Sequence, residues 1–402
     1  MIAVAAADGA RAGQAPGARI YRDAVRDSSS QRWPALDVLR GFVMILMAID
    51  HASATFNADR VVTDSIFMWQ PGAQLPAAQF LTRWITHLCA PTFVLLAGVA
   101  LAISSERRLG AGDAPRSVDA HLRRRGLVLL ALEVAWMSPA MVGPGRVLLQ
   151  VLFAIGGALI AMSWLRRLPD RALLAIALGL LVGGEALAGL ADALGVLQSL
   201  PVAVLLVGGY FADGRLVVAY PLLPWLAMML LGWVLGRRLL AWRERGVDVP
   251  GRAAAVLATW GSAGLAAFVA VRGLDGYGNL LLHRDDGSLV QWLHVSKYPP
   301  SLSFACLELG IAALLLAGLF RVTAARPGFG GPVGTIGQVA LFFYVLHMHA
   351  MGLVALALGW QDRFGLGSAY VGAAAVLIAL YPACVRYRAY KAAHPGGWTQ
   401  YL

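Results

Sequence analysis

Charge is scarce in this chain: only 14% of its 402 residues are Asp, Glu, Lys or Arg, where a soluble domain carries about 25%. Cysteine is scarcer still. Cys89, Cys306 and Cys384 fall in apolar segments at unrelated spacings, which suggests neither a disulfide framework nor a metal knuckle, so no metal site is expected. Acidic residues number 22 against 33 Lys and Arg, giving a formal charge of +11. That surplus invites a nucleic-acid partner. The basic residues, however, lie in short loops between apolar runs, which is the pattern of a membrane topology signal, and nucleic acid is not expected to bind. Residues 1–31 lack the apolar core of a cleavable signal peptide and read as a mobile cytoplasmic tail.

What is present in abundance is apolar sequence. The chain is 59% hydrophobic with a mean hydropathy of +0.67, and runs long enough to cross a bilayer recur along its whole length. The expected fold is an all-α, polytopic transmembrane bundle of about ten spans. They lie near 36–56, 80–103, 125–143, 147–164, 171–190, 216–236, 253–271, 300–320, 336–358 and 368–385. The stretch 194–209, apolar but short and broken by Pro201, is expected to lie in the interface or re-enter. The N-terminal tail and every second loop carry about three times as many Lys and Arg as the loops between them, which orients both termini to the cytoplasm. Three segments follow: the tail at 1–31, a transmembrane domain at 32–390 and a cytoplasmic C-terminal tail at 391–402.

This topology gathers the unusual polar residues on one side. Asp50 and His51 end the first span, Arg83 and His87 open the second, Gln150 starts the fourth, and His347 and His349 ride the ninth. The longest external loop brings Lys297 and Tyr298 of "SKYPPS" to the same layer. Polar residues in membrane helices tend to face a bundle interior or a wet cavity, so an outward-opening polar cavity is expected, with Glu133 and Glu308 as its floor. Plainer readings stand beside each. Asp50 could cap its helix, His51 could snorkel to the headgroups, and Arg83 could be an interfacial anchor. His347 and His349 point about 200° apart on a helix, so His349 is left to packing. "GWVLG" (232–236) fits a small-residue packing face. Asp50 and His51 diverge by about 100°, which makes a cross-helix pair, Asp50 with His87 or His51 with another span, easier than direct mutual bonding.

Five ordered segments, "LDVLRGFVMILMAIDHA", "HLCAPTFVLLAG", "YPLLPWLAMMLLGWVLG", "KYPPSLSFACLELG" and "LFFYVLHMHAMGLVAL", resemble the bacterial branch of the heparan-α-glucosaminide N-acetyltransferase catalytic-domain family over about residues 32–390. The resemblance implies an integral-membrane acyltransferase of the plasma (inner) membrane. Such an enzyme moves an acyl group, often acetyl from acetyl-CoA, to a hydroxyl or amine of a glycan or small molecule. The implied motif positions are Asp37, Arg40, Asp50, His51, His87, Pro91, Lys297, Tyr298, Pro299 and His347. The chain departs from the animal lysosomal members, whose first external loop carries a glycine-rich stretch and the catalytic histidine; loop 57–79 has neither.

In this chemistry a histidine near neutral pH suits the role of base, so His51 or His87 is the candidate, with Asp50 supporting the charge. No cofactor is expected to be held permanently. Acetyl-CoA, as co-substrate, needs cations for its phosphates, and Arg40, Arg123 and Arg124 at inner helix ends are the candidates. No glycine-rich phosphate loop supports them. The expected partners are the lipid bilayer and the acceptor, and a homodimer is left open. A proton-coupled transporter would also place Asp, Glu and His in its bundle and is the alternative function.

Overall fold

The computed structural model describes residues 33–394 together with Gly397 and Thr399. The tail at 1–31 and half of that at 391–402 lie outside the described residues. In chain order the elements are α1 (Pro34–Phe56), α2 (Ala77–His87), α3 (Cys89–Gly110), α4 (Pro115–Leu132), a π turn (Glu133–Met137) and α5 (Ser138–Val142). Strand β1 (Val147–Leu149), α6 (Val151–Leu165), α7 (Asp170–Ala193) and α8 (Leu200–Val202) follow, with a second π turn at Ala203–Val207. Then come β2 (Gly209–Phe211), β3 (Leu216–Val218), α9 (Leu222–Glu244), α10 (Val249–Leu274) and α11 (Leu289–Leu293). The chain closes with α12 (Leu302–Ala325), α13 (Gly331–Gln338), α14 (Ala340–Leu358) and α15 (Gly367–Ala393).

Each of the ten apolar runs is a helix at its core. Among the described residues, eight helical stretches are long and apolar enough to cross a membrane, one of them the nearly continuous Ala77–Gly110 and another Pro115–Val142. The two expected spans outside those eight are α1 and α6. Helix α6 has 15 residues, about 22 Å, short of a ~30 Å hydrocarbon layer. Helix α1 has 23 residues but carries Asp37, Arg40 and Asp50.

The all-α expectation needs one correction. Residues 147–149 and 216–218, expected to begin spans, form strands instead: β1 pairs parallel with β3, and β2 antiparallel with β3. The aromatic Tyr210–Phe211 and the β-branched Val217–Val218 flank the Asp213–Gly214 turn, where Ala212, Asp213 and Gly214 all have positive φ, and an Asp-Gly pair is a strong hairpin signal. The stretch 194–209 does not span; it forms the short α8 and its π turn before entering the hairpin.

Helix α1 is the hub of the bundle, touching α2, α3, α12, α13, α14 and α15. Several helix pairs meet where a glycine lies against the backbone of its neighbour. A Cβ on Gly232 of α9 would stand 1.9 Å from the Leu95 carbonyl oxygen of α3, and one on Gly98 would stand 2.2 Å from that of Met229. "GWVLG" is thus a packing face. Overpacking normally costs ~1–3 kcal/mol. Here the obstacle is backbone that cannot rotate away, so Gly232→Ala is expected to cost ~3 kcal/mol or more, read as a large drop in the unfolding midpoint of the detergent-solubilised protein.

Candidate functional site

The break between α2 and α3 falls at Leu88, and Pro91 explains it. Proline has no N–H to give to the carbonyl one turn earlier, that of His87. The loosened turn presents Arg83, Thr86 and His87 towards α1, where the last turns of that helix carry Asp50 and His51.

There the polar residues form two linked clusters. Arg83, only 6% exposed, donates from Nη1 to Asp50 Oδ1 at 2.6 Å and from Nη2 to Asp64 Oδ2 at 2.6 Å. Arg60 donates to Asp50 Oδ1 at 2.9 Å, and the Thr86 hydroxyl donates to the same oxygen at 3.2 Å. His87 Nε2 lies 3.0 Å from Asp64 Oδ2. Since a carboxylate accepts, that nitrogen carries the proton. Burial alone would raise the Asp64 carboxyl, but Arg83, the His87 hydrogen bond and Lys297 hold it well below the usual carboxylate range. Asp64 therefore stays ionised at neutral pH and fixes the guanidinium.

The second cluster is a histidine pair. His51 Nδ1 lies 2.7 Å from His347 Nε2, and His347 Nδ1 lies 2.7 Å from the Phe343 carbonyl oxygen. A carbonyl only accepts, so in the neutral pair His347 carries its proton on Nδ1 and accepts at Nε2. His51 must then donate from Nδ1, and its lone pair is left on Nε2. His347 also stacks on Phe343, with ring centroids 4.8 Å apart.

Both clusters border a cavity of about 270 Å³ that contains Asp50, His51, Arg60, Arg83, Gln150, Lys297, Tyr298 and Tyr344 in its walls. The small sheet supplies another wall through Leu148, Gly209, Tyr210 and Val217. Tyr220, stacked on Trp225 at 4.4 Å, closes the floor.

Of the residues expected here from sequence, Asp50, His51, Gln150, Lys297 and Tyr298 line this Asp50 cavity. Four do not. His87 stands behind Asp64, and His347 behind His51, both fully buried. Glu133 is spent on a helix terminus: its Oε2 accepts from the Leu152 and Phe153 amides at 2.7 and 3.1 Å, where the first turn of α6 offers free N–H groups. Glu308 is buried on α12, within electrostatic reach of Lys297, and lines neither this cavity nor the next. The cross-helix pairing expected for Asp50 is with Arg83 and not His87. Arg83 is accordingly a buried clamp and no interfacial anchor. His349, donating to the Val345 carbonyl and packed on Trp136, is a packing residue.

A second cavity of about 200 Å³ lies nearer the other end of α1, lined by Arg40, Arg125, Gln338, Tyr387 and Lys391 among apolar neighbours. Arg40 pairs with Asp37 at 3.2 Å. Of the "RRR" run at 123–125 it is Arg125 that borders this cavity; Arg123 and Arg124 do not, and Arg123 lies over the Trp164 ring. Ten residues of helix, about 15 Å, separate Arg40 from Asp50. Between the cavities the walls run on through neighbouring residues: Ala90 and Phe93 of α3, Val151 and Leu152 of α6, Leu341 and Tyr344 of α14.

The sequence missed Arg60, Asp64 and Tyr344, which surround the same cavity. Asp64 and Arg60 sit in a loop with no periodicity to place them. A charged pair in the 57–79 loop facing a membrane bundle was the available signal.

Fold and site together define a multi-pass membrane protein with a buried, charged cavity at one end of its bundle. The profile of the heparan-alpha-glucosaminide N-acetyltransferase catalytic domain matches residues 32–271, and the chain belongs to that family. The matched region contains Asp50, His51, Arg60, Asp64, Arg83, His87 and Gln150; Lys297, Tyr298 and His347 lie beyond it. No curated protein sequence matches the chain. Family and apolar helices together make it a membrane acetyltransferase.

Proposed function

We propose that the protein is a plasma-membrane enzyme that transfers an acetyl or related acyl group from acyl-CoA to an amine or hydroxyl of a glycan or small molecule. The acceptor enters the Asp50 cavity from outside the cell. The donor approaches from the cytoplasm through the Arg40 cavity, whose Arg40, Arg125 and Lys391 suit the phosphates of coenzyme A. The observation that carries this reading is the histidine pair. It gives His51 a fixed tautomer with a basic nitrogen in a cavity-lining ring.

On this reading His51 Nε2 takes the proton of the acceptor as the acceptor attacks the thioester carbonyl, and later returns it to the leaving thiolate. His347 holds the ring in its reactive tautomer, as the third member of a triad does for a hydrolase. Asp50 does not bond to His51; bound to Arg60 and Arg83, it helps hold the cavity wall. His87, whose Nε2 proton goes to Asp64, positions that carboxylate. The two charged clusters therefore divide the work, one shaping the site and the other moving the proton.

The test is acetyl transfer by the purified, detergent-solubilised chain, with acetyl-labelled acetyl-CoA and a panel of amino sugars beginning with glucosamine. Labelled product is expected in at least one reaction. A folded protein that turns over no thioester with any acceptor, water included, would remove the reading.

Sidedness is checked separately. Asp286 is exposed in the 275–288 loop. Asp286→Cys in intact cells is expected to react with a membrane-impermeant maleimide added outside. Labelling only after the cells are opened would invert the orientation.

A further inference from the structure

The charges of the Asp50 cavity do not balance. Arg60, Arg83 and Lys297 face Asp50 and Asp64, and both carboxylates are already engaged by the arginines. Lys297 is left over. Lys297 is 3% exposed and lines the cavity, and its ammonium makes no ion pair among the described residues; it lies 5.2 Å from the centroid of the Tyr298 ring. A buried cation with so little compensation is costly. The chain nevertheless takes trouble to place it: the Lys297 amide donates to the Asp64 carbonyl at 2.9 Å, and the Ser65 hydroxyl donates to the Tyr298 carbonyl at 3.0 Å. Lys297 is thereby tied to the loop whose Asp64 pairs with Arg83. Its charge reaches both Asp50 and His51, so base and cation face the same space.

We infer that Lys297 is a catalytic residue of the acyl transfer, its ammonium stabilising the negative charge that develops on the thioester carbonyl oxygen. This rests on the acyltransferase reading above. As the acceptor nitrogen or oxygen bonds to the carbonyl carbon, the C=O π pair moves onto oxygen and the acceptor's proton passes to His51 Nε2. The oxyanion completes the pairing that Lys297 lacks. Collapse restores C=O and breaks the C–S bond, and the thiolate recovers the proton from His51. No other reactant is consumed. A cation that meets its partner only in the tetrahedral state stabilises that state selectively, which is what accelerates the step. An additional pairing in the resting protein would have weakened the effect.

The experiment compares the full-length parent, Lys297→Met, Lys297→Arg and His51→Ala, using acetyl-CoA with glucosamine, or with whichever amino sugar the parent acetylates. Lys297→Met is expected to lower kcat by about 10²–10³-fold, the usual loss for one such donor, with KM for both substrates within about twofold. Lys297→Arg is expected to recover part of the rate. Because the methionine removes a buried charge that makes no ion pair among the described residues, its unfolding midpoint should equal or exceed that of the parent.

Binding supplies a second readout: a trifluoromethyl-ketone analogue of acetyl-CoA, whose hydrate carries a tetrahedral oxygen, should bind Lys297→Met about 100-fold more weakly. Coenzyme A itself should bind both proteins equally. Parental kcat and parental analogue affinity in folded Lys297→Met would overturn the assignment while leaving the acyltransferase reading intact. A raised KM for the acceptor at unchanged kcat would overturn it too, making Lys297 an acceptor-binding residue. Absence of thioester turnover by the folded parent would instead remove the acyltransferase reading, and this role with it.

Discussion

Purified His51→Ala protein is expected to fold as the parent does and to lose acyl transfer by about 10²–10⁴-fold, the usual contribution of a general base. The asymmetry between folding and activity follows from what His51 touches. Its side chain lines a cavity, so truncation leaves no closed void, and the one hydrogen bond it loses is that to His347 Nε2. An acceptor left without its donor costs ~1–3 kcal/mol when dry and less where cavity water can replace it. His347→Ala should follow His51→Ala part of the way, because it frees the His51 ring to turn and to exchange tautomers without deleting the base. His87→Ala should not resemble either: it takes a hydrogen bond from Asp64 and leaves the His51–His347 pair intact. Rates and unfolding midpoints for the three variants separate these roles. A His87→Ala loss deeper than that of His51→Ala would move the base to the other cluster.

The second large effect belongs to Arg83, and it appears in stability as well as rate. One guanidinium bridges two buried carboxylates on different segments, Asp50 on α1 and Asp64 on the following loop. Breaking a buried pair by removing one partner typically costs ~3–5 kcal/mol, because the remaining charges stay buried without compensation. Arg83→Leu leaves Asp50 with Arg60 and Thr86, and Asp64 with His87, so a cost in that range is expected. Arg83→Lys should recover little. A single ammonium lacks the planar fork that reaches both carboxylates at once. Asp50→Asn and Asp64→Asn should each be milder, since Arg83 keeps one partner. Unfolding of the detergent-solubilised variants measures this; an Arg83→Leu midpoint equal to that of the parent would mean that the bridge contributes nothing net.

The fold was legible where its signal is periodic or cumulative. Each apolar run has a helical core because a segment that fills a bilayer has little alternative to one. The GWVLG packing face was legible for a similar reason: two glycines four residues apart lie on one side of a helix, and a Cβ at Gly232 would collide with the Leu95 carbonyl oxygen at 1.9 Å. The small sheet was not, since three-residue strands beside long apolar runs read as the ends of those runs. In the site, sequence identified the layer in which Asp50, His51, His87, Lys297 and His347 meet, because depth follows from topology. It could not assign partners. Whether Asp50 reaches His87 or Arg83 depends on the break that Pro91 sets in the helix and on a loop that folds back to deliver Arg60 and Asp64. The tautomer of His51 depends on a carbonyl in the first turn of another helix, at Phe343. Glu133 was misplaced for a related reason: its carboxylate serves the free amides of α6, a terminus invisible while residues 147–164 were read as one unbroken span.

The account's central claim is that donor and acceptor meet from opposite sides of the membrane at a histidine in the Asp50 cavity. Reconstitution in liposomes sorted for one orientation tests it most directly. Acetyl-labelled acetyl-CoA is placed on the side of the Arg40 cavity, the acceptor acetylated by the solubilised parent on the other, and both compartments are sampled. The account predicts acetylated acceptor on the acceptor's own side, no passage of intact coenzyme A, loss of product with His51→Ala, and no product when the two substrates are exchanged. Movement of unmodified acceptor across the membrane, with no covalent product on either side, would contradict it and make the protein a transporter.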